Sequence, residues 1–210
     1  MAAVLGRPYI PCDLGHRGEG VKFQHLDWDE IQRLSEEVAE MVRRSGFEPD
    51  VIVAISRGGF PPARIISDVL DVRALASISI IYYKSVGERQ EKPIIIYPLN
   101  ADVRGKKVLI VDDVADSGQS LMVAREHVLE RGASEVRIAT LHYKPWSALK
   151  PDYYVRETEF WIVYPWERWE VVRQEAQKLR EQGKDSEEVV RTLVEKGFDE
   201  GFVRKVLSKK

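Results

Sequence analysis

The chain has a single cysteine, Cys12, in 210 residues. That excludes an internal disulfide and suits a reducing compartment. No hydrophobic run approaches the roughly 20 residues a membrane-spanning helix needs. The amino terminus shows no charged-then-apolar signal pattern, so a cytoplasmic protein is expected. An excess of charge of one sign is also lacking: 32 Lys and Arg face 34 Asp and Glu, a formal net charge of -2. Without a global field, neither nucleic acid nor a membrane surface is an expected partner. Internal repeats and low-complexity segments are missing as well. What remains is 44% hydrophobic and 31% charged, the make-up of a globular protein. The chain is long enough for one sizeable core with a small appendage.

The stretch VLIVDDVADSGQS, from Val108 to Ser120, organises the rest. Val108 to Val111 is an apolar run suited to a parallel strand buried on both faces. Asp112 and Asp113 follow, where such a strand would leave its sheet. Beyond Ala115 comes Asp116-Ser117-Gly118-Gln119-Ser120, small and polar, and LMVAREHVLERG then continues at helical spacing. Strand, acidic edge, small turn and helix make a phosphate site from backbone alone. The free N–H groups of the first helical turn point at the ligand, and the helix dipole favours its negative charge. The paired carboxylates suit hydroxyl groups or a magnesium ion beside that phosphate. A ligand with a phosphate and a diol, such as a ribose 5-phosphate, satisfies both halves.

The same order recurs upstream. Val51 to Ile55 is a short apolar strand, Ser56-Arg57-Gly58-Gly59 a tight loop, and the chain from Ala63 is helical. Glycines let the backbone approach an anion closely, and Arg57 can grip phosphate oxygens as a fork. Ala76–Tyr83 and Pro93–Tyr97 read as strands around the polar KSVGERQEK, and Glu135–His142 as another. Strands alternating with helices imply an α/β fold, a mostly parallel twisted sheet flanked by helices. Ligands of such sheets sit beyond the carboxyl ends of the strands. The loops after Ile55, Val111 and His142 all lie at such ends.

The Val108–Ser120 motif resembles the phosphoribosyl-pyrophosphate motif of type I phosphoribosyltransferases, and the resemblance extends over roughly residues 26–168. It implies that residues 115–120 cradle a 5-phosphate, with Asp112 and Asp113 holding ribose hydroxyls and Mg²⁺. It implies that Ser56, Arg57 and Gly58 form a pyrophosphate loop opening on a non-proline cis peptide. A flexible loop over residues 84–92 would close over the site, with Lys84 and Arg89 as candidates to meet the pyrophosphate. Asp116 resembles the family's general base, acting on the purine N7 proton. The segment from Tyr143, dense in Trp, Tyr and Pro, offers rings for stacking a planar heterocycle. It resembles the hood of the xanthine-guanine branch. Lys144 falls where that branch reads a 6-oxo group, and Trp161-Ile162 where it stacks on and contacts the base. The resemblance therefore implies a purine phosphoribosyltransferase for guanine, hypoxanthine or xanthine, commonly a homodimer. An adenine transferase and a non-catalytic sensor of phosphoribosyl pyrophosphate stay open as alternatives.

Four regions are expected: a loosely structured lead-in (1–25), the core (26–142), the hood (143–168) and a C-terminal helical extension (169–210). Asp27 and Glu30 look like a capping box before a helix showing Ile31, Leu34, Val38 and Met41 on one face, stopped by Gly46. In the extension, Val172, Ala176 and Leu179 mark one helix, ending at Gly183. Asp185 with Glu188 caps a second, with Val190, Leu193 and Val194. Phe198, Phe202, Val203, Val206 and Leu207 mark a third. The extension either packs on the body or serves assembly.

Overall fold

The computed structural model describes residues 22–83 and 92–208. Cys12, Lys84, Arg89 and most of the expected lead-in lie outside these residues. The elements in chain order are β1 (Phe23–His25), α1 (Trp28–Arg44), β2 (Val51–Ser56), α2 (Phe60–Val69), β3 (Leu75–Tyr83), β4 (Lys92–Tyr97) and β5 (Lys107–Ala115). They continue with α3 (Gln119–Glu130), β6 (Glu135–Tyr143), β7 (Tyr153–Glu157), β8 (Trp161–Val163), α4 (Arg168–Glu181), α5 (Ser186–Glu195) and α6 (Glu200–Ser208). Among the described residues no helix is long and apolar enough to cross a membrane. The chain divides into two compact units, one of Asp29–Glu159 and one joining the residues before Asp29 to those from Phe160 onward.

The larger unit is built on a six-stranded sheet of order β4-β3-β2-β5-β6-β7. Every pairing is parallel except that of β3 with β4. The central strands are apolar at nearly every position because both faces are covered. On one face Val53, Ile55, Val108 and Ile110 join Leu121, Ala124 and Val128 of α3 in a single cluster. On the other, Ile52, Ala54, Leu109 and Val111 are fully buried in alternation with them. Pro93 is tolerated in β4 because that strand is the sheet's edge.

Sequence expectations for this unit change at α1, at the end of β5 and at β7, a strand within the segment read as hood. On α1 the buried stripe is Ile31, Leu34, Ser35, Val38, Ala39 and Val42, while Met41 is exposed. The stripe advances by four after Val38, following the 3.6-residue period. The strand expected to end at Val111 runs on through both aspartates to Ala115. Its last residues pair only with β6, at Asp112↔Thr140, Val114↔His142 and Ala115↔Tyr143. Pairing with β2 stops at Ala54↔Val111.

In the smaller unit β1 and β8 pair in parallel, Phe23 opposite Trp161. Both are three-residue strands that the sequence, read as lead-in and irregular hood, did not reveal. Beside them α4, α5 and α6 bury Val171, Val172, Ala176, Leu179, Val189, Val190, Leu193, Phe198, Val203 and Val206 in one cluster with Val163. Val194, expected inside, is exposed, displaced by Val189 as the stripe turns. The cap of α5 is the full box: Asp185 accepts from the Glu187 and Glu188 N–H groups, and Glu188 accepts from the Asp185 N–H. Gly183 adopts φ +84 after α4, the left-handed turn that closes a helix.

Candidate functional site

Chain order reverses around β2. From there the chain moves outward to β3 and β4, then returns to place β5 on β2's other side. Open α/β sheets bind ligands at such a switch point, outside the carboxyl ends of the strands. Here β2 and β5 stop pairing at Ala54 and Val111, so the residues just beyond face a gap. They are Ser56–Gly59 on one side and Asp112–Asp116 on the other.

The Ser56–Gly59 side opens with a cis peptide between Ser56 and Arg57. The Ser56 hydroxyl donates to Ser79 Oγ at 3.2 Å, which ties the loop to β3. Gly58 lies against the Asp113 carboxylate so closely that a Cβ there would fall on its oxygens. Gly59 lies likewise against the carbonyls of Val111 and Ile55. Both glycines are thus required by close approach and bring the two loops together. Arg57 is exposed.

On the facing strand Asp113 is buried, and its N–H donates to Asp112 Oδ1 at 3.0 Å. Among the described residues no group of three or more His, Cys, Asp or Glu side chains is arranged to hold a metal alone. A pair of adjacent carboxylates still fits Mg²⁺, which keeps waters and takes one or two carboxylates plus substrate phosphates.

The turn into α3 has Gly118 at φ +76 as its N-cap, with no side chain capping the helix. First-turn N–H groups of a helix form a ready anion site, of which that of Gln119 is already engaged within the loop. The Ser117 hydroxyl accepts from the Gln119 N–H at 3.4 Å. The turn is braced from outside by residues 144–149. Lys144 N–H donates to the Ala115 carbonyl at 3.0 Å and Ala148 N–H to the Ser117 carbonyl at 3.0 Å.

Those residues also carry the expected base-reading lysine. Lys144 is buried, and loss of water lowers its pKa; the charges of Asp116 and Glu159 act in the opposite direction. Its ammonium sits 5.5 Å from the Trp146 ring centre, and the Trp146 indole donates to Asp116 Oδ1 at 3.2 Å. Asp116 and Lys144, 28 positions apart, are brought together through Trp146. Sequence reading did not single out Trp146, since an exposed-loop tryptophan has no spacing signature. It also missed Tyr82, whose phenolic oxygen lies 2.9 Å from Ser117 Oγ and 3.2 Å from Ser120 Oγ.

Trp161 and Ile162 belong to the smaller unit, on β8, with Ile162 buried and Trp161 half-buried against the helical cluster. Nearby rings there stack on one another: Tyr164 and Trp166 are 4.9 Å apart and nearly parallel, and Trp28 lies 5.7 Å from Trp166.

Residues 26–194 match the phosphoribosyl transferase domain family. The chain is 34% identical over 156 residues to a xanthine-guanine phosphoribosyltransferase of Ruegeria sp. (strain TM1040), across 68% of this chain and 84% of that protein. A purine phosphoribosyltransferase structure from Pyrococcus horikoshii Ot3 is 43% identical, with a TM-score of 0.63, covering 69% of this chain and 93% of that one. A hypothetical protein from Neisseria gonorrhoeae with bound ppGpp is 30% identical, with a TM-score of 0.65, covering 80% of this chain and all of that one.

Proposed function

Because the chain belongs to the phosphoribosyl transferase domain family, we propose that it is a purine phosphoribosyltransferase acting in purine salvage. It joins a 6-oxopurine (guanine, hypoxanthine or xanthine) to phosphoribosyl pyrophosphate, yielding the nucleoside monophosphate and pyrophosphate. One observation carries the reading: the gap between β2 and β5 sets two carboxylates against a glycine-arginine loop, beside a helix N-terminus without a side-chain cap. The relatives named for xanthine-guanine and purine transfer support it.

In this reading Ala115, Asp116, Ser117, Gly118, Gln119 and Ser120 hold the 5-phosphate, and Asp112 with Asp113 holds the ribose hydroxyls. Ser56, Arg57 and Gly58, joined by Lys84, hold the pyrophosphate. The bond from the anomeric carbon to pyrophosphate breaks and a bond to purine nitrogen forms, through an oxocarbenium-like state as in glycoside cleavage. Arg57 stabilises charge growing on the leaving oxygens. Asp116 takes or shifts the proton on purine N7. Lys144 donates to the 6-oxo group and is poorly matched to an exocyclic amino group, which disfavours adenine. The resemblance assigns base stacking to Trp161 and a backbone base contact to Ile162. Asp112 and Asp113 would hold Mg²⁺, which when bound offsets the charge of the leaving pyrophosphate. A cytoplasmic homodimer completes the proposal.

The Neisseria gonorrhoeae relative, with its bound ppGpp, favours a second reading, in which the site senses a phosphorylated guanine nucleotide without turnover. One experiment separates the readings. Purified chain is incubated with phosphoribosyl pyrophosphate, Mg²⁺ and each of adenine, guanine, hypoxanthine and xanthine, with and without excess chelator. Metal-dependent turnover of 6-oxopurines alone is expected. Binding without turnover of any purine would favour the sensor, and adenine turnover would overturn the base assignment.

A further inference from the structure

We infer that Tyr82 is a positioning residue of the 5-phosphate site, supplied by β3 to a loop that lies 35 positions further along the chain. The inference rests on the phosphoribosyl reading of that loop. In the sheet β2 stands between β3 and β5, so the loop after β5 is roughly two strand spacings, about 10 Å, from β3. A tyrosine bridges that distance where a short hydroxyl side chain cannot. Its phenol meets two of the loop's hydroxyls at once, Ser117 Oγ at 2.9 Å and Ser120 Oγ at 3.2 Å.

The three hydroxyls can be given a direction. Each has one proton to donate and two lone pairs to accept with. The Ser120 hydroxyl donates to the phenol; either oxygen of the Tyr82–Ser117 pair can be the donor, and we assign the phenol's proton to Ser117 Oγ. That oxygen also accepts from the Gln119 N–H at 3.4 Å. Both lone pairs of Ser117 are then engaged by protein donors, and its remaining hydrogen-bonding capacity is its own proton. The arrangement makes Ser117 a donor held in one orientation before the ligand arrives, the polarity an anion needs. Pre-aimed donors bind charge without reorganising at the moment of contact. Tyr82 acts through Ser117 and Ser120, so its hydroxyl affects ligands that carry the 5-phosphate and not the free base.

Tyr82→Phe removes the phenolic oxygen and keeps the ring. On the full chain, calorimetric affinities for phosphoribosyl pyrophosphate and for ribose 5-phosphate are measured beside steady-state kinetics and thermal unfolding. Both phosphorylated ligands are expected to bind on the order of 10-fold more weakly, the worth of one or two hydrogen bonds. The purine KM and kcat should stay within about twofold, since the base and the reacting bond lie elsewhere. Ser120→Ala should weaken the same two ligands at least as much, because it removes a hydroxyl of the phosphate loop as well as the donor feeding the phenol. Unchanged affinity in Tyr82→Phe, with wild type binding well, overturns the role of Tyr82 alone. A wild type that binds neither ligand overturns the phosphoribosyl reading and the inference with it. Equal losses for purine and phosphorylated ligands, with a lower unfolding temperature, would make Tyr82 merely structural.

Discussion

Lys144 is a cation held almost out of water, 6% exposed, with Asp116 and Glu159 as the anions that act on it. A donor so placed contributes to ligand binding chiefly through one charged hydrogen bond, worth about 1.5–3 kcal/mol. Lys144→Ala should raise the KM for a 6-oxopurine by roughly 10- to 100-fold and leave that for phosphoribosyl pyrophosphate within a few-fold. Equal losses on both would make the residue structural. Its strand neighbour His142 is fully buried, and burial with the nearby charges of Arg156 and Lys144 pushes its imidazole down to about 3. An unfolded histidine titrates near 6.5. Between that value and about 3 the unfolded chain binds a proton that the folded chain does not. Stability from this group is therefore complete above about pH 6.5 and declines on acidification, by up to about 1.4 kcal/mol per pH unit. His142→Gln should flatten the fall in melting temperature between about pH 7.5 and about pH 5; an unaltered slope would show that other groups set it. Asp112, Asp113 and Lys144 were legible as candidates because motif and resemblance mark them. Tyr82 and Trp146 were not, because a tyrosine ending a strand and a tryptophan in a turn show their partners only after folding.

At the scale of elements, the turn from β5 into α3 depends on one residue. Gly118 has a left-handed φ of +76, and a Cβ there would come 2.6 Å from Ser147 Oγ and 2.7 Å from the Leu149 nitrogen. Gly105 has a similar φ of +70 but nothing within 4 Å. Alanine at either position meets the left-handed strain, about 1–2 kcal/mol. At Gly118 it must also push the bracing segment away from the loop. Gly118→Ala should therefore lose phosphoribosyl-pyrophosphate affinity by more than about 10-fold, roughly the effect of displacing one or two aligned N–H donors. Gly105→Ala should lower only the melting temperature. Titration and melting of both proteins decide it, and similar binding in the two would free the loop from its brace. Most elements were visible in the sequence because their apolar period is regular over enough residues, as in β2, β5 and α5. The misses have a common cause in length. β1 and β8 span three residues each, too few for alternation to show, and β7 sits in an aromatic segment with no period. The end of β5 was misplaced because aspartates suggest a loop, whereas here the strand keeps one partner after losing the other.

Among the described residues each of the two units carries an apolar cluster of its own. That of the Asp29–Glu159 unit is drawn from its own strands and α3. That of the smaller unit is drawn mainly from α4, α5 and α6, with Val163 beside them. The helical extension expected from the sequence is therefore the principal source of a core rather than an ornament on one. Removing the chain from Gln174 onward takes away Leu179, Val189, Val190, Leu193, Phe198, Val203 and Val206, and leaves Val163, Val171 and Val172 without the residues they cluster with. Each such side chain loses about 1.5–3 kcal/mol of burial, far more than so small a unit can spare. The truncated chain should lose the unfolding transition of the smaller unit. The larger unit keeps every residue of its cluster, so phosphoribosyl-pyrophosphate affinity should fall by no more than a few-fold. Calorimetric melting and ligand titration on the truncated and full chains measure both. A truncated chain that melts as the full one does would show that the extension supports no core. One that neither folds nor binds would show that the larger unit does not fold without the extension.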